Sequence, residues 1–123
     1  MAYTYDSTVL ATAGEDGSIQ LWDTWKYKRI RRIGAHNGAV LGVHFSRDGE
    51  LVSSGADGLV KRWAQDGKEL AKYEGLGDWG YQARFGLKDT LVLAGNWTGS
   101  IHAWDRASAE HKAEFTTQPQ PAG

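Results

Sequence analysis

The 123-residue chain has no cysteine, which excludes a disulfide framework, a thiolate metal site and a cysteine nucleophile. Its stability must therefore come from packing. No stretch approaches the roughly 20 apolar residues of a membrane-crossing helix. Met1 to Asp6 hold no basic region followed by an apolar one, so we expect a soluble, cytoplasmic protein with no targeting signal in this segment. There is no excess of charge either. With 14 Lys and Arg against 15 Asp and Glu, the net charge is -1, which withholds the global attraction that non-specific nucleic-acid binding needs. Nucleic acid is thereby disfavoured as a partner, and membrane is not expected.

What the chain does have is six Trp and 16 Gly with only two Pro. Glycine supplies the positive φ of tight hairpins and aromatic residues suit pleated surfaces, so the composition predicts an all-β protein. Internal repetition sharpens this. Gly17-Ser18-Ile19-Gln20-Leu21-Trp22-Asp23, Gly58-Leu59-Val60-Lys61-Arg62-Trp63-Ala64 and Gly99-Ser100-Ile101-His102-Ala103-Trp104-Asp105 superimpose without gaps. Their tryptophans are spaced 63 − 22 = 41 and 104 − 63 = 41 residues apart.

Within the middle period, Val40 to Phe45 reads as a strand, Ser46 to Gly49 as a turn and Glu50 to Ser54 as a second strand. After a turn at Asp57-Gly58, a third strand runs from Leu59 to Ala64. Gln65 to Lys68 then turns into a fourth, Glu69 to Glu74. Asp-Gly recurs at 16, 48, 57 and 66, as expected of turns that need the left-handed conformation. Four antiparallel strands per repeat is the plan of a β-propeller blade, so we expect about three blades, an incomplete ring on their own.

His36, Ser53, Asp57 and Trp63, the Trp-Asp endings at 22–23 and 104–105, and Phe45-Ser46-Arg47-Asp48-Gly49 together resemble the WD-repeat propeller family over residues 9 to about 117. The resemblance implies a structural network in the middle blade. In it the His36 ring, the Asp57 carboxylate, a strand hydroxyl (Ser53 or Ser54) and the Trp63 indole are joined by hydrogen bonds, with Trp22 and Trp104 as the matching core residues. The other blades depart from the pattern. Gly77 stands in the register of His36 and Thr98 in that of Asp57, while the first blade keeps Asp16 and Trp22 without a histidine. Ala2-Tyr3-Thr4 falls in register with Val43-His44-Phe45, so the chain is expected to start inside a blade. The expected division is a truncated first blade over 1–34, a second over 35–74, a third over 75–117 and a Pro-containing tail over 118–123.

Chemical motifs are weak beside this. Gly75-Leu76-Gly77-Asp78-Trp79-Gly80 fits a dinucleotide fingerprint, but the alternation of Tyr81, Ala83 and Phe85 after it is that of a strand, where the motif requires a helix. The histidines at 36, 44, 102 and 111 lack metal-site spacing, and the carboxylates mostly serve Asp-Gly turns. No catalytic residue, metal or cofactor is expected, and the chain does not read as an enzyme. Lys26 to Arg32 carries five positive charges in seven residues, in the register of an outer strand. Such charge guards a sheet edge against strand pairing, or docks an anionic partner such as RNA or an acidic protein segment. Trp79 and Trp97 do not repeat. With Asp78 and Asn96 beside them they form the candidate interaction face.

The WD resemblance implies a protein–protein interaction scaffold, its ring completed by two or three copies of the chain or by further blades of a larger propeller. The alternative is a purely structural, self-assembling fragment, engineered or truncated, with no foreign partner.

Overall fold

A computed structural model describes residues 2–4, 6–73, 80–86, 90–96 and 100–116, with only the backbone of 80, 81, 96 and 113–116. Among the described residues twelve strands form three four-stranded antiparallel sheets. The first holds β1 (Ala2–Tyr3), β2 (Val9–Ala13), β3 (Ser18–Asp23) and β4 (Lys28–Gly34); the second holds β5 (Val40–Phe45), β6 (Leu51–Gly55), β7 (Val60–Trp63) and β8 (Glu69–Tyr73). The third holds β9 (Gly80–Gly86), β10 (Leu91–Asn96), β11 (Ser100–Asp105) and β12 (His111–Thr116). Each sheet is ordered by sequence, the meander of a propeller blade, and the three do not close a ring. Among the described residues no helix is long and apolar enough to cross a membrane.

The predicted strands of the middle period stand within a residue or so of the observed ones. Glu50 falls outside β6 because Ser46 closes the turn against it, the Ser46 N–H donating to the Glu50 carbonyl at 2.8 Å. Residue 74 lies outside the described residues, as do the glycine-rich loop over 75–79 and the tail over 118–123. Gly17, Gly49, Gly58 and Gly67, the glycines of the four Asp-Gly pairs, all take positive φ. At Gly17 the requirement is twofold, since a Cβ there would also lie 2.2 Å from the His36 carbonyl oxygen.

Alternation along the strands gives each sheet two faces, and the sheets stack through them. Ala11, Ile19, Leu21 and Ile33 of the first sheet meet Phe45, Leu51 and Trp63 of the second in one core. Val52, Val60 and Tyr73, from the opposite face of the second sheet, meet Ala83, Phe85, Val92, Ala94 and Trp104 of the third in another. The inner strands β5 and β9 also touch through a hydrogen bond from the Phe85 N–H to His44 Nδ1, 3.1 Å. The protein is thus a short stack whose cores lie between sheets.

Candidate functional site

The segment that enters the second blade is tied down by two hydrogen bonds from the Ala35 and His36 N–H groups to the Gly17 carbonyl, 2.9 and 3.0 Å. That places the His36 ring against the end of β6. Its Nε2 lies 2.8 Å from Ser53 Oγ, and its Nδ1 lies 3.0 and 3.1 Å from the two Asp57 oxygens. The Trp63 indole N–H donates to the same Ser53 Oγ at 3.0 Å. Asp57 is fixed in turn by the N–H groups of Leu59 and Asn37, each at 3.1 Å.

Of the two hydroxyls the sequence left open, Ser53 joins the network, because it shares a face with Leu51 and Trp63. Ser54 points to the other face, where its Oγ is buried without a partner. With the ring neutral, as its burial favours, the donors run in one chain: Trp63 donates to Ser53, Ser53 donates to His36 Nε2, and His36 Nδ1–H donates to Asp57.

Ser53, His36 and Asp57 share the connectivity of a nucleophilic triad. Ser53 is fully buried, however, and its oxygen already accepts the indole proton, so a substrate carbonyl has no approach to it. What the arrangement does chemically is satisfy three buried polar groups, on His36, Ser53 and Trp63, with the partly exposed Asp57 carboxylate at its end.

Burial holds His36 below its ordinary pKa of 6.5, against the pull of Asp57. For Asp57 burial pushes upward, but the Leu59 N–H, the His36 ring and the Asn37 N–H outweigh it and bring the carboxyl below 3.8. Both folded values are depressed, so the folded state binds fewer protons than the unfolded one. The His36 contribution to stability is full above its unfolded value of about 6.5 and is lost as pH falls from there through the folded value. The Asp57 contribution is lost lower, as pH falls below its ordinary range. We therefore expect thermal melts from about pH 7.5 to pH 5 to show a Tm decline that is flatter in His36→Asn. A wild-type Tm that rose on acidification relative to the variant would mean that the folded state holds the charged ring.

Two residues of this site were not picked out from the sequence. Gly55 leaves the space that the ring occupies, since a Cβ there would lie 2.7 Å from His36 Cγ and 2.9 Å from Asp57 Oδ1. The signal was available, because Gly14 stands one period earlier, 55 − 41 = 14. Thr12 is the other, at 53 − 41 = 12, and its hydroxyl accepts the Trp22 indole N–H at 3.1 Å. The first blade thus keeps the lower half of the network. Its Asp16 is held by the Ser18 N–H and hydroxyl and by Arg32, which bring its pKa down to about 2.

Trp63 and Trp104 are buried in the two cores, whereas Trp22 is only half-buried, because among the described residues no further sheet lies against the face it occupies. In the third blade His102 lies stacked on Trp104, and its Nδ1 is 3.0 Å from Nε2 of His111. Sequence spacing had not joined these two histidines. Among the described residues no group of three potential ligands surrounds a metal position. Asp78, Trp79, Trp97 and Thr98 lie outside the described residues, as does Gly77. Asn96 is described only in its backbone, which pairs with Gly80 at the end of β10.

The family model for the WD domain, G-beta repeat, matches residues 1–23 and 27–64. The chain is 34% identical over 110 residues to cilia- and flagella-associated protein 52 of Chlamydomonas reinhardtii, covering 85% of this chain and 18% of that protein. It is 30% identical over 66 residues to guanine nucleotide-exchange factor SEC12 of Rattus norvegicus, covering 54% and 16%. It is 25% identical over 104 residues to WD repeat and SOCS box-containing protein 1 of Homo sapiens, covering 81% and 25%. The chain spans a quarter or less of the length of each of these relatives.

Proposed function

Because the chain belongs to the WD-repeat family, we propose that its three blades are part of a propeller that holds other proteins, and that their ring is completed by further copies of this chain or by further blades. WD repeats serve as protein-interaction domains. The observation that carries it is the state of the two end faces. Trp22 matches Trp63, which is buried under the first sheet, yet Trp22 is half-exposed. At the other end Leu93 and Ile101 match Val52 and Val60 (52 + 41 = 93, 60 + 41 = 101), which are fully buried under the third sheet, yet both are half-exposed. Each end therefore offers the surface that the other end lacks, which is the relation a head-to-tail contact needs.

In a longer chain neighbouring blades take those positions; for these 123 residues another copy does. Asp78, Trp79, Asn96 and Trp97 are the protein-binding face we propose for the assembled ring. Light scattering at micromolar concentration is expected to give two or three times the chain mass of 13.5 kDa. A compact, cooperatively melting monomer would overturn ring completion.

A further inference from the structure

We propose that the outer edge of the first blade, β4 with the turn before it, binds an extended acidic peptide segment as a fifth strand. The inference rests on reading the chain as a binding module, but it uses a surface other than the ring contact.

Among the described residues β4 is hydrogen-bonded to β3 alone, which leaves its other backbone row to pair. The outer strands differ in charge. β8 carries Glu69 and Lys72, and β12 carries Lys112 and Glu114, whereas β4 carries Lys28, Arg29, Arg31 and Arg32 with no acid. With Lys26 in the preceding turn, five exposed cations lie on one edge of a chain whose net charge is -1. Arg32 reaches Asp16 at 3.1 Å, while Lys26, Lys28 and Arg31 make no ion pair among the described residues. Positive charge guards an edge against neutral or basic strands, but a row of it is complementary to an acidic one.

The turn adds an aromatic pair. Asp23 Oδ1 accepts the N–H groups of Trp25 and Lys26, as Asp105 Oδ1 accepts those of Ala107 and Ser108, and both turns place the fourth residue after the aspartate at positive φ. In the third blade that residue is Ala109, which packs on the core. In the first it is Tyr27, with φ 55° and 88% exposed, beside Trp25 at 81%. A bulky residue is held in a conformation that favours glycine and buries almost nothing, so the fold gains nothing from the ring. An exposed aromatic pair at the mouth of a basic edge is suited to anchor a partner. The free strand backbone favours a peptide over nucleic acid, for which the chain lacks a broad positive field.

The test is fluorescence anisotropy of the full chain with a labelled octapeptide of alternating Glu and Val. Saturable binding is expected, weakened about tenfold or more by Lys28→Glu/Arg29→Glu and by Trp25→Ser/Tyr27→Ser, with the melting temperature of both variants close to wild type. Methylating alternate backbone nitrogens of the peptide should abolish binding, because it removes the donors of a fifth strand. Unchanged binding of the methylated peptide would overturn strand addition. Binding of a uridine oligomer or of phosphatidylserine vesicles without binding of the peptide would overturn the partner class. No peptide binding by chains that light scattering shows to be assembled would overturn this inference and leave ring completion standing, whereas a compact monomer that binds the peptide would do the reverse.

Discussion

Trp63→Ala should cost the fold about 3–5 kcal/mol, the largest single effect we expect, because it opens a cavity between the first and second sheets and removes the donor to Ser53. The two neighbouring serines separate the polar share of that cost from the cavity. Ser53→Ala leaves both His36 Nε2 and the Trp63 N–H without a partner in a buried place, and should cost about 2–4 kcal/mol. Ser54→Ala removes a buried hydroxyl that has no partner, so it should leave stability unchanged or raise it by about 1 kcal/mol. Chemical denaturation of the three variants decides the matter. Equal losses for the two serine variants would mean that the hydroxyl of Ser53 is not a junction.

The same pair shows what the sequence could convey. That a strand hydroxyl would meet His36 followed from the motif, but Ser53 and Ser54 are adjacent, and only the pairing of β6 with β7, which sets Leu51 opposite Trp63, decides which one faces the indole. Strands and their order were legible because the four-strand pattern recurs in each period, and the Asp-Gly turns because the dipeptide itself calls for positive φ. The half-exposure of Trp22 was not, because repeat logic treats all three tryptophans alike while burial depends on which neighbouring sheet is present. The aromatic tip at Trp25 and Tyr27 was missed for the related reason that exposure is a tertiary property; composition had marked only the charges beside it. His102 and His111 come together because they sit on neighbouring strands, across the irregular register at Trp104, and no fixed sequence spacing announces such a pair.

The contact between the second and third blades is expected to depend on one arginine. Arg106 follows β11, and its Nη2 reaches back to both Asp48 oxygens, at 3.0 and 2.9 Å, and to Glu50 at 2.7 Å, both in the β5–β6 turn region of the second blade. Its guanidinium lies 4.9 Å from the Phe85 ring centroid. Arg62 pairs with the same Glu50 and donates through Nε to the Tyr73 hydroxyl, which donates to the Arg106 carbonyl at 2.6 Å. Burial pushes the Glu50 carboxyl upward, but Arg106 and Arg62 together outweigh it and hold the group ionised.

None of this repeats between the first and second blades, where Gln65 stands in the place of Arg106 (106 − 41 = 65), Ser7 in that of Asp48 (48 − 41 = 7) and Val9 in that of Glu50 (50 − 41 = 9). The charges are therefore particular to this one interface and lie beside its apolar core. The arginine side chain is only 15% exposed, so removing it leaves a partly desolvated Glu50 with a single cation and uncovers Phe85. Arg106→Ala should cost about 2–4 kcal/mol, and Arg106→Lys, which keeps the charge but has no planar guanidinium to lie over Phe85, should recover only part of it. In a stack of repeats stability is a sum of blade and interface terms, so weakening one interface also uncouples the units it joins. The expected signature is a broadened or two-step melt in which amide protection is lost first in β9 to β12 and is retained in β2 to β8. A single sharp transition at the wild-type temperature would show instead that the apolar core of Val52, Tyr73, Phe85 and Trp104 couples the two blades without help from the charges.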